Sequence, residues 1–122
     1  MYRTEFESLV EKALEQIPIP FRLAMKNVAI LIEEWPDPGV VEEITGCRDE
    51  LIYGLFSGTP LSEQHIEDSG VFPPVIAIYQ GPLVEDFPEL NQLIAEIEIT
   101  LVHEIAHFMG LDEEVVRAYG YD

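Results

Sequence analysis

The sequence predicts an α+β domain, in which a small mixed sheet packs on an N-terminal helix and on one long helix near the C-terminus. Three observations carry that reading. Apolar residues recur at helical spacing near both ends of the chain, at 6–17 and at 90–108. Between them lie three short apolar runs, rich in β-branched residues and bounded by proline or glycine. No internal repeat, low-complexity stretch or linker divides the 122 residues, so 1–122 reads as one domain, long enough to bury a core without disulfides.

Each element has its own signal. Thr4 and Glu7 have the spacing of a capping box, and Phe6, Leu9, Val10, Ala13, Leu14 and Ile17 follow at helical intervals until Pro18 and Pro20. A first helix is therefore predicted over 4–17. NVAILIEEWP, at 27–36, reads as a buried strand, and PDPG forces a turn after it. Residues 40–51 are ambiguous, with a short helix through VVEEI as one reading. LIYGLFSG, at 51–58, is a second strand, and the polar stretch 59–70 is a surface loop. PPVIAIYQGP, at 73–82, is a third strand; its flanking prolines suggest a sheet edge. Asp86, with Pro88 two residues on, reads as the start of a helix running to Met109. Gly110 stops it, and the tail has room for one or two more turns.

Charge narrows the partners. Six basic residues stand against 24 acidic ones, a net charge of −18. Such a surface repels nucleic acid and anionic membrane and attracts cations, metal ions included; the plainer reading is that it keeps the chain solvated. The single cysteine, Cys47, fits a reducing compartment and has no Cys-His signature around it. The acid-rich N-terminus does not resemble a secretory signal, and no apolar run approaches the roughly 20 residues that cross a bilayer. A cytoplasmic protein is expected.

The chemistry sits in LVHEIAHFMGLDEE, at 101–114. Four helical residues rotate about 400°, so His103 and His107 share one face a turn apart, where two imidazoles can bind one metal ion. Glu104 lies about 100° round the axis, beside such a metal, where a carboxylate accepts a proton from water. A catalytic zinc site needs a third protein ligand. Gly110 allows the chain to turn back through positive φ, which brings Glu113 into range, with Asp112 as the alternative. HExxH arises by chance in about one in a few hundred chains of this size. The added glycine and acid, and the helical context, therefore favour a metal site over two hydrogen-bonded structural histidines. His65, in the loop, reads as a solvent-exposed histidine, and Trp35 as packing at a strand end.

TLVHEIAHFMGLDEE with the closing GY resembles a family of small bacterial zincin-like metallopeptidases, the mini-zincins. FESLVEKAL, NVAILIEEWP, LIYGLFSGTPLSE and PPVIAIYQGPL are similar to it as well. The resemblance implies a minimal zincin-like fold, one Zn2+ per chain held by His103, His107 and the acid at position 113, and Glu104 as general base. Members usually carry Asp at the third-ligand position, where this chain has Glu113. Their strand motif often ends Tyr-Arg-Gly-Pro, where this chain reads Tyr79-Gln80-Gly81-Pro82. The methionine turn of larger zincins is absent after Glu113. Tyr119 or Tyr121, the latter favoured by the family pattern, would steady the oxyanion or else pack on the core.

The function expected is peptide-bond hydrolysis, with a peptide or protein substrate lying along Val75–Tyr79 as an added strand, against Tyr79. A homodimer is compatible with an exposed edge. Two alternatives remain open. One is a zincin shell that binds without cleaving. The other is a metal-dependent endoribonuclease using a related His-rich motif, against which the −18 charge and Glu104 both count.

Overall fold

The computed structural model describes residues 1–61 and 72–121. His65 and most of the expected 59–70 loop lie outside them. The chain begins with α1 (Arg3–Gln16), followed by a short α2 (Ile19–Ala24) and a 3-10 turn at Met25–Asn27. Strand β1 (Ala29–Glu33) leads to α3 (Pro38–Thr45) and β2 (Gly54–Ser57). Strand β3 (Val75–Tyr79) runs directly into α4 (Gln80–Asp86), then come the long α5 (Leu90–Met109) and the short α6 (Glu113–Ala118). The architecture is α+β, as the sequence predicts.

Local chemistry corrects several expectations. The Thr4–Glu7 box is not used: Tyr2 is the N-cap of α1 and makes no side-chain capping bond. Pro18 ends α1, but Pro20 starts α2, because the first turn of a helix needs no N–H from that position. PDPG is less a turn than a helix start. Asp37 caps α3 by accepting from the Gly39 N–H at 2.7 Å, with Pro38 just inside. Asp86 closes α4 rather than opening the last helix, which Glu89 caps through the Asn91 and Gln92 N–H groups.

The sheet order is β1-β3-β2, with β1 parallel to β3 and β2 antiparallel to it. The third strand is therefore central, not an edge. Pro73, Pro74 and Pro82 all lie outside the paired residues 75–79, so they remove no ladder donor and leave both sides of β3 free to pair. Ile76 and Ile78 point from β3 into the core and are fully buried. They meet Phe6, Leu9, Val10 and Ala13 of α1 and Ile97, Leu101, Val102 and Ile105 of α5 in one hydrophobic cluster. Burial at that density holds the two helices under a single face of the sheet.

The two outer strands are finished differently. On β1, Arg3 Nη1 donates to the Ile32 carbonyl at 2.8 Å. On β2, contact with α5 does the work. A Cβ on Gly54 would stand 2.6 Å from Thr100 Cγ2 and 3.1 Å from the Ala77 carbonyl oxygen. Only glycine lets β2 approach α5 this closely. Trp35 packs at its strand end as expected, against Gly81, whose N–H donates to the Glu34 carbonyl at 2.8 Å. No helix of the described residues is long and apolar enough to cross a membrane.

Candidate functional site

Helix α5 carries the motif. It is buried along most of its length, so its rotation about its own axis is set by the core. His103 and His107 lie a turn apart, with His103 half-buried and His107 mostly exposed. Among the described residues no hydrogen bond ties down the His103 ring. Glu104 is turned inward, its side chain only 14% exposed. One of its oxygens, Oε1, accepts the Phe56 N–H of β2 at 2.7 Å and lies 3.5 Å from His107 Nδ1.

This arrangement has an electrostatic consequence. Burial pushes the Glu104 carboxyl above the usual range, while the Phe56 N–H and the two imidazoles pull the other way and do not fully compensate. A carboxylate displaced upward is a better proton acceptor than one in water. The close packing permitted by Gly54 is what delivers the Phe56 N–H, and the ring contact of Phe56 with Phe108 (centroids 5.6 Å apart) fixes the same strand to the end of α5.

The remaining expected residues are not gathered here. Gly110 does turn through the left-handed region, with φ 75°, and its N–H closes onto the His107 carbonyl. Beyond it Asp112 is the N-cap of α6, accepting from the Val115 N–H at 3.1 Å. Glu113 is an exposed first-turn residue of α6, placed where a helix N-terminus favours negative charge. Among the described residues no three of His, Cys, Asp or Glu are grouped to hold a metal ion. The donor set in place is thus two imidazoles beside a buried carboxylate. It fits part of a zinc site and lacks the third ligand.

Tyr121 is buried against Phe21, and burial together with a hydrogen bond to Glu98 pushes its phenol up to about 12. Glu98 and His107 are nine residues apart, about half a turn round α5, so Tyr121 packs on the side away from the histidines. Tyr119 also stacks edge-on to Phe21. Tyr79 follows the strand alternation onto the face opposite Ile76 and Ile78, near Glu33 and Ala77. Burial, then the Glu33 charge, pushes its phenol up. Gln80 is buried and donates to the Met1 carbonyl at 2.8 Å.

A groove of about 380 Å³ opens beside His103 and Glu104, lined by Ile52, Tyr53, Gly54, Glu96, Ile99 and Thr100. The Tyr53 hydroxyl donates to Asp86 Oδ2 at 2.5 Å. The motif spacing does not single these residues out. Two signals point to them: a glycine inside an apolar strand run, and Glu96, Thr100 and His103 in helical register along one stripe of α5.

Residues 25–121 match the family model described as zincin-like metallopeptidase. The chain belongs to that family. No curated protein matches it. Among solved structures, a conserved hypothetical protein from Thermo thermophilus is similar over 99% of this chain and 100% of its own, at 22% identity and a TM-score of 0.55. That likeness shows that the two chains share a fold.

Proposed function

We propose that this chain is a zinc-dependent peptidase that uses Glu104 as general base. The observation that supports it most is the pairing of His103 and His107 on one helical face with a buried, upward-shifted Glu104 beside them. His103 and His107 would hold the metal, with Glu113 as the third ligand brought in by movement of α6 about Gly110. Zinc, when bound, would supply Lewis-acid polarisation of the scissile carbonyl and a water of lowered pKa. Glu104, fixed through one oxygen by the Phe56 N–H, takes the proton of the attacking water and passes it to the leaving amine. The groove beside His103 would receive substrate.

A second reading is a zincin-fold binding protein that does not cleave. The exposed position of Glu113 and the lack of a three-donor group among the described residues favour it. One experiment separates the two. Protein purified without chelator should contain about one zinc per chain. Glu104→Gln should keep that zinc while lowering peptide turnover by about 10²–10⁴-fold. Turnover unchanged in Glu104→Gln, or a chain that takes up no zinc, would overturn the peptidase; zinc binding without turnover would establish the second reading.

A further inference from the structure

The groove beside His103 has chemistry of its own. Its walls are apolar, from Ile52 and Ile99, and its end away from the histidines carries one half-buried carboxylate, Glu96. Glu96, Thr100 and His103 follow one stripe of α5, and seven residues of helix set Glu96 about 10 Å along the axis from His103. The neighbouring hydroxyls are already committed. Thr100 Oγ1 donates to the Glu96 backbone carbonyl at 2.8 Å, and Tyr53 donates to Asp86. None of the chain's six basic residues lines the groove, and among the described residues no ion pair engages Glu96.

We propose that this groove is a specificity subsite for a basic side chain, lysine or arginine, of a bound peptide, and that Glu96 is the residue that selects it. The proposal rests on the peptidase reading for its placement beside the scissile bond. A long aliphatic stem lies against Ile52 and Ile99 while the cationic head reaches Glu96. A partly desolvated carboxylate with no internal cation gains most from such a head group. A glutamate in the same place would meet both Glu96 and Glu104, on a chain of net charge −18.

Binding tests this independently of cleavage. Chelator-treated wild-type protein is titrated into labelled extended peptides that differ at one central residue: lysine, norleucine or glutamate. Fluorescence anisotropy should show lysine binding about tenfold more tightly than norleucine, and glutamate most weakly. Glu96→Gln should bring lysine and norleucine to within about threefold of each other. Glu43→Gln, an equal loss of charge on the exposed face of α3, should leave the preference intact. Equal binding of lysine and norleucine overturns the subsite, as does failure of every peptide to bind, or a loss in Glu43→Gln matching that in Glu96→Gln. Preference in this assay, with no turnover of the lysine peptide by the zinc-loaded protein, would sink the peptidase and keep the subsite.

Discussion

The segments His103–His107 and Gly110–Glu113 belong to one motif, yet different forces hold them. The first is set by the core: Ile105, Ala106 and Phe108 are buried around it, and Gly54 lets β2 reach Glu104. The second is set by helix ends, with Gly110 terminating α5 and Asp112 capping α6. Core packing is a many-residue constraint with little slack, whereas a cap fixes a chain direction through one or two bonds. The metal site proposed above, split across the two, would have a rigid half and a half that has to be recruited.

Ligand removal is the strongest way to sharpen that contrast. His103→Ala should lower zinc affinity more than the roughly 10–100-fold typical of outer-shell partners, as measured by competition with a chromogenic chelator. Glu113→Gln should cost only about tenfold, because moving α6 into place already discounts what the carboxylate contributes. An equal loss in both variants would show that the acid is as firmly placed as the histidines.

Breaking the rigid half comes next. Gly54→Ala puts a methyl against Thr100 and the Ala77 carbonyl, and urea denaturation should show a loss of about 1–3 kcal/mol. The same variant should lose turnover through displacement of the Phe56 N–H from Glu104. Undiminished turnover in Gly54→Ala would mean that this contact does not position the base. The recruited half should be cheaper to disturb. Asp112→Ala removes the α6 cap and should cost about 1 kcal/mol in the same assay.

The smallest effect is a pH slope. Tyr53 is pushed up to about 12 by its hydrogen bond to Asp86 and by burial, from 10.0 when free. A folded value above the unfolded one gives stability that is complete below about pH 10 and is lost as pH rises towards 12. Tyr121 titrates over the same window. The measurement is therefore a difference: Tyr53→Phe should show a shallower fall in stability between pH 10 and 12 than wild type.

The same division explains what the sequence revealed. Helical spacing is local, so α5, the shared face of His103 and His107, and the Gly110 stop could all be read from residue order. Strand order is not local. β3 looked like an edge because prolines flank it, and only its pairing on both sides shows otherwise. Thr4–Glu7 and Asp86 satisfy a local spacing rule for helix starts, but the competing starts at Tyr2 and Glu89 win. Glu113 was within reach on paper, since glycine permits the bend; where α6 then lies depends on Val116 entering the core, which no local pattern encodes. Tyr121 follows it, anchored by Phe21 rather than by the motif.

Arg3 has a consequence for how copies of this protein meet. Its guanidinium occupies the Ile32 carbonyl and stands 3.8 Å from Glu34, so one margin of the sheet is stoppered by a charge that a second molecule's backbone would have to dislodge. Strand-by-strand growth needs two open margins, one to receive and one to extend. With that margin blocked, and with the outward Phe56 N–H of β2 already given to Glu104, neither side offers a full row of free backbone groups, which disfavours open-ended polymerisation.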